Sequence, residues 1–268
     1  MIPRPLLNSL VETVAMLLLV PTMVTACNNL PPAVHDLFLD ARVPPGVTLD
    51  LVCDADVTGC TAATLRSTVS SLVPGLPPQS VVRLFAVADD IVDSRELYRC
   101  ATGARKPNAQ AEQDRRAAEA RQITDGVLAA AGPLFAITKR HASPIAQTIH
   151  RVLLAGNPSG GVHHLVILTD ARQVTKALAP DDPLGDLDFE CGAIPDDFPD
   201  RLARFFPKDS LHGVHVHFAN VELSSVDGHR CSDPDTTTYA RMRDAWVSGL
   251  SRQGAVVTWD MGPIGGLQ

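Results

Sequence analysis

The sequence is poor in three features that mark familiar functional classes. Its six cysteines form no Cys-x-x-Cys pair, which excludes a zinc ribbon or a thioredoxin-type redox motif. Aromatic residues make up only 4% of the chain, too few for a platform on which single-stranded nucleic acid stacks. Positive charge is in the minority, because 23 Lys and Arg face 30 Asp and Glu and the net charge is −7. Nucleic acid is therefore not an expected partner.

Common enzyme signatures are missing as well. The chain contains neither a Gly-x-Ser-x-Gly nucleophile elbow nor a His-Glu-x-x-His zinc motif. The glycine-rich segment Gly156–Gly161 precedes an apolar run, whereas a dinucleotide-binding loop follows a strand and opens a helix. We therefore expect a protein that is not an enzyme. A metal-dependent hydrolase on a doubly wound α/β sheet is the alternative.

What the chain does have is a composition suited to a packed core. Its 268 residues are 45% hydrophobic and 20% charged, which excludes a chain that is disordered throughout. This length accommodates one large α/β domain.

The first residues have the pattern of a secretory signal. Arg4 precedes an apolar run, Val14–Val20, that is too short to span a bilayer. The tetrapeptide Val24-Thr25-Ala26-Cys27 resembles a bacterial lipobox. The resemblance implies a lipoprotein-type signal peptide over residues 1–26, lipidation of Cys27, and a membrane-anchored protein outside the cytoplasm. Residues 27–46 would form a tether. An amphipathic first helix of a cytosolic protein is the alternative.

Apolar runs alternate with helical spacing across a single predicted domain, residues 47–268. Strands are predicted over Val47–Asp54, Val81–Ala88, His164–Thr169, Gly213–Asn220 and Ala255–Trp259, and helices over Thr61–Val73, Ala109–Ala131, Pro144–Leu154 and Thr236–Arg252. Ile91–Cys100 is either an edge strand or a loop. The acidic, proline-rich segment Asp181–Asp200 is interpreted as an insertion outside the core. This alternation predicts an α/β fold with a doubly wound, mostly parallel sheet and helices on both faces.

Oxygen-bearing side chains collect where ligands bind in such a sheet, at the carboxyl ends of its strands. Asp56 and Thr58 follow the first predicted strand, and Asp170 follows the most apolar one. Ser143 lies in a loop before a helix. Two carboxylates and two hydroxyls are ligands suited to Mg²⁺ or Mn²⁺. The sequence therefore predicts a divalent-cation site formed by these four residues.

This pattern resembles the metal-ion-dependent adhesion site of von Willebrand factor type A (VWA) domains. That site is written Asp-x-Ser-x-Ser after the first strand, a Thr in a middle loop and an Asp after the fourth strand. Asp56 stands for the first Asp, Thr58 for the first Ser and Cys60 for the second. Ser143 stands for the Thr, and Asp170 for the last Asp within the family-typical Leu-Thr-Asp.

The resemblance covers Val47–Trp259 and implies a cell-envelope module that binds another protein. Cys60 departs from the family pattern, because a thiol is a poor ligand for Mg²⁺ and a disulfide would remove its sulfur altogether. Two interpretations stay open. In one, the four residues hold a cation whose shell a partner's carboxylate completes. In the other, the metal site has decayed and the protein is a structural lipoprotein.

The remaining cysteines suggest disulfides, as an oxidising compartment would permit. Cys191 and Cys231 lie in loops predicted at one sheet edge, and Cys60 with Cys100 is a second hypothetical pair. Cys53, inside the first strand, is interpreted as a buried free thiol.

Two histidines share one side of a predicted strand. His215 and His217 are two residues apart and point to the same face. With His212 nearby, a zinc site is one hypothesis, and packed, hydrogen-bonded histidines are the favoured one. His163 and His164 point to opposite faces, which argues against a joint site.

Overall fold

The computed structural model describes residues 45–55, 58–88, 94–136, 142–176, 181–189, 194–221, 236–262, 264 and 266–267. The predicted signal segment lies outside these residues, as do Cys27, Asp56, Cys191 and Cys231.

Six strands form the main sheet. They are β1 (Thr48–Cys53), β2 (Val81–Ala86), β3 (Glu96–Ala101), β4 (His163–Leu168), β7 (Val214–Ala219) and β8 (Val256–Trp259). Their order is β3-β2-β1-β4-β7-β8. Among the described strand pairs of this sheet, only β2–β3 is antiparallel. The prediction of an α/β protein with a mostly parallel sheet is confirmed, and the segment left open between strand and loop contains an edge strand.

The described residues also form two shorter strands, five α-helices and three single turns of 3₁₀ helix. Strands β5 (Val174–Thr175) and β6 (Leu187–Asp188) pair antiparallel. The helices are α1 (Ala62–Leu72), α2 (Ala109–Ala131), α3 (Ile145–Leu154), α4 (Phe198–Phe205) and α5 (Thr236–Ser251). Thr61 and Asn108 are the N-cap residues of α1 and α2. Their side chains accept hydrogen bonds from backbone N–H groups of the first turn, which favours the start of a helix there. Among the described helices, none is both long enough and apolar enough to cross a membrane.

The central position of β1 explains its apolar sequence. It pairs with β2 on one side and β4 on the other, and all of its residues are buried. Alternate residues enter different core clusters: Leu49, Leu51 and Cys53 pack with α1 and α2, whereas Val52 packs with α3, α4 and α5. Because successive side chains of a strand point to opposite faces, both surfaces of the sheet carry packed apolar side chains.

The acidic segment between positions 181 and 200 contributes to the core. Leu184, Leu187 and Ile194 are buried, and the Phe189 ring lies 4.8 Å from that of Phe198. The expectation that this segment lies outside the core is therefore wrong. Its aspartates face solvent or are half-buried, and the apolar residues between them face inward.

Candidate functional site at the carboxyl edge of the sheet

The carboxyl ends of β1 and β4 lie side by side and position the first two site residues. Cys53 is the register partner of Leu168, and the next residue on each strand is Asp54 or Thr169. The Asp54 backbone N–H donates to the Leu168 carbonyl at 3.0 Å. Both side chains are completely buried.

Asp54 is the centre of a polar cluster drawn from three parts of the chain. Its Oδ2 accepts a hydrogen bond from the Ser143 hydroxyl at 2.5 Å and another from the Thr169 hydroxyl at 3.0 Å. Ser143 lies just before α3, where two backbone hydrogen bonds fix it to Val174 at 2.9 and 3.2 Å. A carboxylate and two hydroxyls therefore meet at this edge, and together they supply the oxygen ligands that hard cations prefer.

Asp170 follows Thr169 in the chain, and its carboxylate contacts Arg172. Its Oδ1 accepts from the backbone N–H of Arg172 at 2.9 Å, and its Oδ2 lies 3.5 Å from the guanidinium Nε. Both side chains are buried. The guanidinium therefore supplies positive charge where the predicted cation would contact Asp170.

The turn that carries Asp170 has an unusual backbone. Ala171 adopts φ 63°, in the left-handed region that costs an L-residue about 1–2 kcal/mol. Its N–H donates to the Thr169 hydroxyl oxygen at 3.1 Å, and its carbonyl accepts from the Trp246 indole at 3.0 Å. These contacts hold the strained residue in place and orient the turn.

The turn after β1 lies directly against the end of β4. Residues Thr58–Cys60 form one turn of 3₁₀ helix. A Cβ on Gly59 would come within 2.7 Å of the Thr169 backbone, so only glycine permits this approach. The Cys53–Cys60 disulfide ties the same turn to the end of β1.

This disulfide corrects two expectations about the cysteines. Cys53 is not a free thiol, and Cys60 does not pair with Cys100. Cys100 is itself disulfide-bonded, so its partner is neither Cys53 nor Cys60. The sequence could not reveal this pairing, because the turn that folds Cys60 back onto Cys53 is not encoded in their spacing alone.

Of the predicted ligands, the structure brings Ser143 and the turn of Asp170 to the same edge of the sheet. Asp56 lies outside the described residues, and of Thr58 only the backbone is described. Sequence reasoning missed Asp54, Thr169 and Arg172. Asp54 ends the predicted first strand and Thr169 ends the most apolar one. Their positions at the carboxyl ends of strands could therefore have identified them as site residues. Nothing in the sequence indicated that Arg172 folds back onto Asp170.

A second buried charged cluster lies nearer the opposite end of the strands. The Arg83 guanidinium binds both carboxylate oxygens of Asp50 at 2.6 Å, and His163 Nε2 lies 2.6 Å from Asp50 Oδ2. Arg83 also donates to the carbonyls of Ala155 and Gly156 at 3.1 and 2.8 Å, just beyond the end of α3. All of its contacts are made within the fold, so we assign this cluster a structural role.

In the comparisons with known proteins, no protein-family model matches the chain, and neither does any curated protein.

Proposed function

We propose that the chain is a cell-envelope binding module on a doubly wound, VWA-like sheet, and that it engages a partner protein at the carboxyl edge through a divalent cation. The single observation that carries this proposal is the buried Asp54 carboxylate, which accepts hydrogen bonds from Ser143 and Thr169. The action we propose is coordination of a partner, without turnover of a substrate.

The position of this cluster in the strand order supports a binding role. From β1 the sheet continues to β2 and β3 on one side and to β4, β7 and β8 on the other. The strand order therefore reverses at β1, and ligands of open α/β sheets bind outside the carboxyl ends of the strands at such a reversal. Asp54 follows β1, and Thr169 follows its neighbour β4, so both residues lie at this reversal. The two core clusters support the doubly wound arrangement, with helices on both faces.

The cluster also suggests a different register for the adhesion motif. If Asp54 takes the place of the first Asp, then Asp56 and Thr58 occupy the two Ser positions, and Cys60 falls beyond the motif. In this register the Cys53–Cys60 disulfide removes no ligand. Ser143 and Asp170 keep the roles that the resemblance gave them. The cation would then be Mg²⁺ or Mn²⁺, because every side chain in the motif offers oxygen.

Calorimetric titration of the full chain with Mg²⁺ and Mn²⁺ tests the proposal. We expect binding heat in the unsubstituted protein and its loss in Asp54→Asn and Asp170→Asn, which change charge but keep shape. Asp125→Asn, on an exposed position of α2, is the matched control and should bind as the unsubstituted protein does. Equal heats in all four proteins, or none in any, would contradict a cation site at this edge.

The Arg172 contact favours a second candidate, a module that binds its partner without a metal ion. Here the Arg172 guanidinium would take the place of the cation beside Asp170, and the partner would bind this edge without an ion. This candidate predicts no Mg²⁺ or Mn²⁺ heat in the unsubstituted chain, nor in an Arg172→Met variant, in which the competing charge is gone.

The proposed location outside the cytoplasm is supported by the cysteines. Cys53, Cys60 and Cys100 are all disulfide-bonded, and such bonds persist in oxidising compartments. Mass spectrometry of the membrane fraction tests the anchor, since a lipoprotein would begin with a diacylated Cys27. An unprocessed chain in the soluble fraction would contradict it.

A further inference from the structure

Three histidines meet on one face of the sheet, away from the carboxyl edge. His164 of β4 is the register partner of His215 on β7. His217 lies two residues further along β7, so it points to the same side. The third histidine of this group is His164 and not His212, because pairing of β4 with β7 brings His164 alongside the other two. We call these three residues the histidine cluster.

The candidate ligand atoms of the histidine cluster are close together. Nδ1 of His164 lies 3.0 Å from Nε2 of His217. One ligand atom from each of the three side chains lies within 4.8 Å of the other two. Nitrogens that share a tetrahedral Zn²⁺ at about 2.0–2.1 Å lie about 3.3–3.4 Å apart. Small side-chain rotations would bring the three nitrogens to that spacing.

A hydroxyl on the neighbouring strand orients one of these rings. Nδ1 of His217 lies 2.7 Å from the Thr258 hydroxyl of β8, so its Nε2 is the nitrogen presented to His164. Metal-binding histidines characteristically engage their second nitrogen in a hydrogen bond of this kind, which fixes the ring and its tautomer.

The protonation state also suits metal binding. Burial, together with the charges of the neighbouring histidines, lowers the pKa of His164 to about 4. Burial also lowers the pKa of His217. Both rings are therefore neutral at pH 7, which is the form that binds a metal ion.

The histidine cluster is accessible from solvent. His164 and His217 are buried, but His215 is only half-buried. On the adjoining strand, Thr258 is exposed and Val256 is 51% exposed. An ion can therefore reach the rings, and a fourth ligand has room to approach from outside.

We infer that His164, His215 and His217 bind one Zn²⁺ ion, with water or a small anion in the fourth position. Imidazole nitrogen suits zinc and its neighbours in the transition series and not Mg²⁺. Three histidines with one open position is an arrangement that lets zinc bind an exchangeable ligand. This site is independent of the function proposed for the carboxyl edge, because the two share no residue.

The test is Zn²⁺ binding to the full chain after chelator treatment, measured by competition with a chromophoric chelator. We expect one equivalent per chain, with affinity reduced at least about tenfold in His164→Gln, His215→Gln and His217→Gln, since even loss of an indirect partner costs that much. Co²⁺ in place of Zn²⁺ should give the visible absorption of a four-coordinate site. The exposed His212→Gln is the matched control and should bind as the unsubstituted chain does.

Two further variants keep the outcomes distinct. Far-UV circular dichroism will show whether His164→Gln or His217→Gln, which change buried side chains, prevents folding. His215→Gln changes a half-buried side chain, so its Zn²⁺ affinity tests the inference in that case. Asp170→Asn should leave Zn²⁺ affinity unchanged, whatever it does to Mg²⁺. Absence of Zn²⁺ binding, or equal affinity in the unsubstituted chain and all three histidine variants, would overturn the inference.

Discussion

Arg172 decides, at the scale of single residues, how available Asp170 is to a cation. Its Nε lies 3.5 Å from the carboxylate, and a bound Mg²⁺ would have to approach that positive charge. Arg172→Met should therefore raise Mg²⁺ affinity at least about fivefold, equivalent to about 1 kcal/mol, the value in water for unit charges 4 Å apart. Calorimetry measures this affinity. Arg172→Lys keeps the positive charge, so its Mg²⁺ affinity should stay close to that of the unsubstituted chain. Equal affinities in all three proteins would contradict the competition.

Asp50 and Arg83 lead to a prediction about stability. Both side chains are wholly buried, so removing one partner leaves the other charge uncompensated in the core. Asp50→Leu should lower the free energy of unfolding by about 3–5 kcal/mol, and replacing Arg83 as well should recover part of that loss, because the uncompensated buried charge is then gone. Urea unfolding of Asp50→Leu and of Asp50→Leu/Arg83→Met compares the two cases. A double variant no more stable than the single one would contradict this account.

At the scale of elements, the strands and helices could be predicted from the sequence, but the contacts between them could not. Apolar runs predicted β1 and β4 to within a residue or two, and the boundaries of α2 match their prediction. The partners of Asp54 and His164 could not be predicted in this way. The partners of Asp54 depend on the register between β1 and β4, which lie more than 100 positions apart in the chain. Those of His164 depend on the pairing of β4 with β7. Neither register is visible in local hydrophobic spacing.

The turn Thr58–Cys60 offers an element-scale prediction with a close control. A Cβ on Gly59 would meet the Thr169 backbone at 2.7 Å, and backbone cannot move aside as a flexible side chain can. Gly59→Ala should push this turn away from β4 and lower the free energy of unfolding by about 1–3 kcal/mol, as overpacking does. If the turn contributes to the cation site, Mg²⁺ affinity should fall as well.

Gly75→Ala is the matched control for that substitution. Gly75 also lies in a 3₁₀ turn, Val73–Gly75, and a Cβ there would meet nothing within 4 Å. We expect this variant to unfold at the same urea concentration as the unsubstituted chain or slightly above it, because alanine restricts the unfolded chain. If the two alanine variants were equally stable, close packing of Gly59 against β4 would not matter.

For the molecule as a whole, one strand carries parts of both candidate sites. Asp170 lies in the turn after β4, six residues beyond His164 and four beyond Val166, which is the register partner of His217. At about 3.3 Å per residue, the end of β4 at Leu168 lies about 13 Å beyond His164 and about 7 Å beyond the level of His217, and Asp170 lies past that end. Energetic effects at sites more than about 7–10 Å apart, with no shared partners, usually add.

The two proposed metal sites should therefore act independently while each stabilises the same fold. Zn²⁺ at one hundred times its dissociation constant should raise the free energy of unfolding by about 2.7 kcal/mol, and a chelator should reverse the gain. The gain should persist in Asp170→Asn and disappear in His215→Gln, whereas Mg²⁺ affinity should be the same with and without bound Zn²⁺. Urea unfolding and calorimetry measure the two quantities. A Mg²⁺ affinity that changed severalfold when Zn²⁺ bound would mean that β4 couples its two ends.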